Sequence, residues 1–165
     1  MKARTETSEA AGGRGHASTF DIESPLPYLY DAGTSVGNAF KADLKHFGIT
    51  LPMWRVLAAL ADREDQTVTA IAGRAGLEIY TASRLVASAV NAGRVQRRPG
   101  KDARSLSLRL TRNGRALVDK ISPLALALER TALAGIEAAE AAKLRILLRR
   151  IAGNVALPRR TSHLS

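Results

Sequence analysis

The sequence predicts a mainly α-helical protein that carries one small two-stranded β-hairpin. Three observations predict it. Apolar residues make up 45% of the chain but are chiefly Ala, Leu, Ile and Val, with only 4% aromatic residues, a bias that favours helices over strands. They recur in steps of three and four along most of the chain, which places them on single helix faces. The period changes once, to strict alternation over Ser105 to Leu110, the pattern of a strand. A length of 165 residues gives room for one cored domain plus a tail or extra helices.

Residues 1–24 are small, polar and without period, and predict a flexible tail; Gly12-Gly13-Arg14-Gly15 is a single basic Gly-rich stretch inside it. From Leu26 to Phe47 a helical stripe runs through Leu29, Ala32, Val36, Phe40, Leu44 and Phe47, and Gly48 ends it. Thr50 is a cap candidate and Pro52 suits a first turn, so Met53, Val56, Leu57 and Leu60 form the next stripe, which stops near Ala61 at the charged loop Asp62-Arg63-Glu64-Asp65. Thr67-Val68 reads as a very short strand, with Thr69 then capping a compact helix, Ala70 to Ala75, closed by Gly76. Leu77 leads into a helix over Glu78 to Asn91, ended by Gly93. Two short helices joined by a tight Gly-containing turn make a helix-turn-helix unit.

The hairpin follows: Arg94 to Arg97 as one strand, Pro99 to Asp102 as the turn, and Ser105 to Leu110 as the second strand. Leu106, Leu108 and Leu110 share one face and would anchor it to the core, while Ser105, Ser107 and Arg109 share the other. Thr111 caps a long helix with Leu117, Ile121, Leu124 and Leu128, and a last helix carries Leu144, Leu147, Leu148 and Ile151, ending at Gly153 and Pro158. Residues 156–165 are a C-terminal tail.

Composition narrows the function. The chain has no cysteine, which excludes disulfides, thiolate zinc sites and thiol redox sensing. The longest apolar run, Val56 to Ala61, is far below the ~18 residues of a membrane span, and residues 1–19 lack the apolar centre of a signal peptide. A soluble, cytoplasmic, bacterial protein with no membrane partner is therefore expected. His16, His46 and His163 lie far apart, and there is no Gly-rich phosphate loop or nucleophile motif. No enzyme, cofactor or metal site is expected.

Charge is the stronger indicator. The net charge is +10 and the pI about 10.8, so a polyanion is the leading partner. Residues 91–115 hold seven Arg, one Lys and one Asp, a net of +7. Most of the excess thus sits on the hairpin and its flanks, beside the helix-turn-helix, as a protein that binds double-stranded DNA through its phosphates requires.

The segments ITLPMWRVLAAL (49–60), TVTAIAGRAGL (67–77), TASRLVASAVNAGRVQRRPGKDARSLSLRLTRNG (81–114) and LRILLRRI (144–151) occur in an order that resembles the MarR (multiple antibiotic resistance regulator) family of winged-helix transcription factors. The triplet Asp102-Ala103-Arg104 matches that family's wing motif, Asp-any-Arg. The resemblance implies a winged helix-turn-helix domain at 49–111. It also implies a helical dimerisation region built from 25–48 and 112–155, and a small-molecule pocket between the two. Helical stripes left outside a compact winged core also ask for a cover, and a second copy of the chain supplies one.

On this reading residues 78–91 form the recognition helix, with Tyr80, Thr81, Ser83, Arg84 and Ser88 toward DNA and Leu85, Ala89 and Val90 packed inward. Arg84 can donate two bonds to guanine O6 and N7. The hydroxyls of Thr81 and Ser83 suit phosphates or base edges, and Thr69 joins the contacting set from the preceding helix. Glu78 and Tyr80 depart from the family pattern of a polar cap followed by Ser or Thr. Glu78 is a poor N-cap, and Tyr80 can meet a thymine methyl or lie along the backbone. In the wing, Arg104 is expected to enter a narrow minor groove, with Asp102 bracing it, while Arg97, Arg98 and Lys101 act as phosphate clamps. Tyr28, Tyr30, His46, Trp54 and Arg55 are candidates to line a pocket for an aromatic or phenolic, anionic effector.

The function expected is that of a ligand-responsive homodimeric repressor. Two alternatives stay open: a constitutive architectural DNA-binding protein without an effector, and an RNA-binding winged helix.

Overall fold

The computed structural model describes residues 24–99 and 106–156, and the chain divides into two units at Thr34 and Ser35. The first unit holds the opening turns of helix α1 (Pro25–Lys45), where Leu26, Tyr28 and Tyr30 are exposed. The N-terminal tail expected over 1–24 lies, apart from Ser24, outside the described residues, as do Pro158 and the rest of the C-terminal tail beyond Ala156.

In the second unit α1 continues to Lys45 and buries Phe40 and Leu44. Helices α2 (Leu51–Asp62), α3 (Val68–Ala75) and α4 (Ile79–Asn91) follow, then strands β1 (Val95–Pro99) and β2 (Leu106–Leu110), and helices α5 (Arg112–Ala132) and α6 (Ala138–Ala156). Among the described residues no helix is long and apolar enough to cross a membrane. Helix α2 is central: it touches α3, α4, α5 and β2. Leu44, Val56, Leu57, Leu60, Ile71, Val95 and Ile121 are fully buried around it, each such aliphatic side chain stabilising the fold by about 1.5–3 kcal/mol.

Local chemistry sets the element ends. Thr50 Oγ1 accepts from Met53 N–H at 3.4 Å and starts α2, with Pro52 in its first turn. Thr111 Oγ1 accepts from Gly114 N–H at 3.1 Å and starts α5, leaving fewer orphan donors at each N-terminus.

Four sequence expectations are corrected. The cap of α3 is Thr67, whose hydroxyl accepts from Ala70 N–H at 3.3 Å, so Thr69 lies inside the first turn and Val68 is helical rather than extended. The short extended contact falls one residue earlier, at Gln66, which bridges Leu108 antiparallel. Strand β1 runs to Pro99, which pairs with Leu106 instead of opening the turn. Helix α6 continues through Gly153 to Ala156; an interior Gly costs only about 1 kcal/mol against Ala, too little to stop a helix by itself.

Helix α5 contains Pro123, which cannot donate to the carbonyl four residues back. Before it, Gly114, Val118 and Ile121 are buried in the winged core; after it, Leu124 and Leu126 are exposed. Among the described side chains helix α6 has no buried residue, and Leu144, Ile146, Leu147, Leu148 and Val155 are all exposed.

Candidate nucleic-acid interface

The turn between α3 and α4 is made by Gly76, whose φ of 59° is left-handed, a conformation that costs a side-chain-bearing residue but not glycine. A Cβ there would also strike the Arg55 guanidinium, 2.6 Å away. Leu77 N–H donates to Ala72 O at 2.9 Å and closes the turn. Glu78 then precedes α4 without any side-chain capping bond, as its poor capping chemistry predicts.

Helix α4 is two-faced. Ala82, Val86 and Ala89 are buried, and Leu85 and Val90 pack half-buried against the core. Tyr80, Thr81, Ser83, Arg84 and Ser88 are all exposed. Tyr80, Arg84 and Ser88 fall at four-residue steps and share one side of the helix. The Arg84 guanidinium carbon lies 5.9 Å from the centre of the Tyr80 ring. Ile79, which sequence reasoning passed over, is exposed beside them. Thr69 is exposed on α3.

In the hairpin, β1 and β2 pair antiparallel with Val95 opposite Leu110, Arg97 opposite Leu108 and Arg98 opposite Ser107. Opposed residues share a face, so the two exposed arginines, Arg97 and Arg98, lie on opposite faces of the finger. Leu108 and Leu110 anchor the hairpin, as expected, but Leu106 is 61% exposed. Alternation names the face; it does not say where the core ends, and the core ends before Leu106. Lys101, Asp102 and Arg104 lie outside the described residues.

A polar brace, missed from the sequence, holds the hairpin base. Arg109 donates to Asp65 through Nε (3.3 Å) and Nη2 (2.6 Å), and its Nε also lies 3.3 Å from Glu64. Arg115, on α5, donates to Glu64 at 2.7 Å and to the carbonyl of Ala61 at 3.3 Å. Ser107 Oγ donates to Asp65 at 3.4 Å. Hydrogen bonding from Arg109 is the main cause that holds the Asp65 carboxyl below its usual range, against partial desolvation; the charges of Arg109 and Arg98 and the Ser107 bond act the same way. Asp65 reaches this position with φ 56°, a left-handed conformation that Asp tolerates better than most residues. Beneath it, buried Gln66 donates its side-chain amide to the carbonyls of Ala59 and Arg63, and exchanges two backbone bonds with Leu108. The only sequence signal was the charged loop 62–65, three of its four residues acidic, lying before so basic a hairpin.

The five pocket candidates are divided between the two units. Tyr28 and Tyr30 belong to the first unit. Trp54 packs edge-on against Phe40 at 5.7 Å and forms part of the core. Arg55 lies against the Gly76 turn, and His46 is exposed. A depression of about 380 Å³ is lined by Lys41, Lys45 and Gly48 to Pro52, and by none of the five. Among the described residues no group of three or more metal-binding side chains occurs.

The MarR family model matches residues 47–105, the span of the helix-turn-helix and the first part of the hairpin. A solved MarR family transcriptional regulator from Silicibacter pomeroyi DSS-3 superposes with a TM-score of 0.68 at 29% identity, covering 83% of this chain and 98% of that one. Over residues 47–105 the chain is similar to the MarR family. The chain is also 32% identical over 105 residues to the HTH-type transcriptional regulator TtmR of Methylorubrum extorquens, covering 62% of the chain but only about half (54%) of that relative. The same fold occurs in BpsR of Bordetella bronchiseptica, whose DNA binding is regulated by 6-hydroxynicotinic acid; TM-score 0.68, 21% identity, 81% of this chain and 98% of that one.

Proposed function

We propose that this chain is a sequence-specific DNA-binding transcriptional regulator, a homodimeric repressor that a small aromatic, anionic ligand releases from a pseudo-palindromic operator. The observation that carries the reading is the two-faced α4, with Tyr80, Thr81, Ser83, Arg84 and Ser88 all exposed on a helix whose other face is locked into the core. A helix so presented at the end of a helix-turn-helix enters a major groove. Arg97 and Arg98 on the hairpin, with Lys101 and Arg104 in the loop between the strands, supply phosphate and groove contacts, and Asp102 steadies that loop. Thr69 contacts the DNA backbone from α3. The uncovered apolar side of α6 supports a second copy as its cover, and two-fold symmetry then sets the two α4 helices about 34 Å apart, one turn of duplex. The protein would act in the cytoplasm of a bacterium and carry out no catalysis.

The ligand acts by binding better to a state in which that spacing is wrong, and shifts the equilibrium only by its difference in affinity between states. The regulated DNA binding of BpsR supports this part of the proposal. Tyr28, Tyr30, His46, Trp54 and Arg55 stay candidates for ligand contact in the dimer.

The test is selection of bound genomic fragments with purified protein. A two-fold half-site with one-turn spacing is the expected result. Broad protection with little preference would favour the architectural alternative, which the +10 net charge also suits. Titrating candidate aromatic acids against the selected site then tests release; unchanged affinity at saturation removes that acid as the effector.

A further inference from the structure

Arg84 stands four residues after Tyr80 on α4, with its guanidinium carbon 5.9 Å from the ring centre. Both side chains are exposed. Side chains on a helix lean toward its N-terminus, so Arg84 is carried back over the first turn, where Tyr80 waits. Ion pairs among the described residues engage Arg74, Arg109 and Arg115, and none engages Arg84.

What holds an arginine decides what it has left to offer. A carboxylate partner would occupy the fork of N–H donors, the same fork that meets guanine O6 and N7. An aromatic ring attracts the guanidinium through its face and leaves the donors at the edge free. A long, unheld arginine also surrenders rotamer freedom when it docks on a base. A platform that limits this freedom beforehand reduces the cost of docking in one geometry.

From this geometry we infer that Tyr80 is a positioning residue: its ring presents the Arg84 fork to one base pair and so sets how sharply that base is discriminated. The inference rests on α4 being the helix that reads DNA, and extends that reading to a residue acting through another. It also gives the departure of this chain from the family pattern at position 80 a physical role. An exposed cation–π contact corresponds to roughly a 2- to 5-fold effect in an equilibrium.

The test uses the full-length protein and the site found by fragment selection. Binding of wild type, Tyr80→Phe, Tyr80→Leu, Arg84→Ala and the Tyr80→Leu/Arg84→Ala double variant is measured on that site and on every single-base change of it. Arg84→Ala is expected to abolish discrimination at one position per half-site. Tyr80→Leu should lower discrimination at that same position roughly 2- to 5-fold, Tyr80→Phe should keep it, and in the double variant the Tyr80 change should add nothing there. In the free protein, nuclear magnetic resonance should show the Arg84 side-chain protons shifted by the ring in wild type and Tyr80→Phe, and unshifted in Tyr80→Leu. Unchanged thermal melting of Tyr80→Leu shows that its fold is intact. Equal discrimination in wild type and Tyr80→Leu, or an equal Tyr80→Leu effect with and without Arg84, would overturn the inference alone. A wild-type protein that prefers no sequence would overturn the DNA-reading proposal and take the inference with it.

Discussion

Arg109 reaches back 44 residues to grip Asp65, with Nε 3.3 Å from one carboxylate oxygen and Nη2 2.6 Å from the other. This two-point contact ties the second strand of the hairpin to the loop between α2 and α3. Asp65→Asn keeps a side chain that tolerates the left-handed backbone but removes the charge. The amides of Leu108 and Gln66, which pair beneath the contact, should then exchange faster with solvent while the global melting temperature falls only slightly, since exposed ion pairs add little to stability. Hydrogen exchange resolved by residue checks it, and unchanged protection would show that Gln66 alone holds the strand.

The same contact sets a pH response. Because the folded-state pKa of Asp65 is lowered, chiefly by its bonds from Arg109, the unfolded chain binds more protons than the folded one as the carboxyl titrates. The contribution is complete above the ordinary carboxylate pKa and is lost as pH falls through the lower folded value. The melting-temperature difference between wild type and Asp65→Asn should therefore be constant near neutrality and shrink below about pH 4. A difference that grew on acidification would contradict this sign.

Gly114 sits in the first turn of α5 against the backbone of Arg94, the residue before β1. A Cβ there would run into the backbone carbonyl oxygen of Arg94, which also accepts from Thr111 N–H at 3.0 Å. Backbone cannot step aside as a flexible side chain can. Gly114→Ala should lose stability at or above the top of the roughly 1–3 kcal/mol range of overpacking, read by urea denaturation.

On α6, Leu144, Leu148, Ile151 and Val155 form a stripe at helical spacing. In the proposed homodimer, the double change Leu148→Glu and Ile151→Glu places charges inside the interface. Sedimentation at micromolar concentration should report half the wild-type mass. A mass that stays dimeric would locate the interface elsewhere.

Arg97 and Arg98 face opposite ways on the hairpin, which suits a finger flanked by a phosphate strand on each side. Each arginine replaced by alanine should lower the log–log salt slope of DNA binding by about 0.9, and the double variant by about twice that. No change from either would assign them to solvent.

The helices, the hairpin and their order were legible from periodicity, because burying one face imposes a period wherever the partner surface lies. Thr50 and Thr111 were legible as caps because a hydroxyl bonding three residues on is a local event. Thr67 and Thr69 were not separable on those terms: both precede a helical stretch, and the choice is made by Gln66, whose bonds to Leu108 end the extended segment one residue before Thr67. The exposed set on α4 was legible from its apolar complement. The Asp65–Arg109 brace was not, since nothing local marks which of seven arginines in 91–115 turns back to an acid instead of outward.

Pro123 has a consequence for how shape change would be distributed. With one helical bond missing, α5 bends more easily there than anywhere else along its length, and Ser122, whose hydroxyl donates to Val118 O at 2.9 Å, reinforces that weak point. Beyond it Ala125 and Leu128 still pack against the chain's own core, while Leu124 and Leu126 are exposed. A rearrangement of the proposed dimer that passed along α5 would meet its softest point at this one proline, inside a helix that its own core grips on both sides.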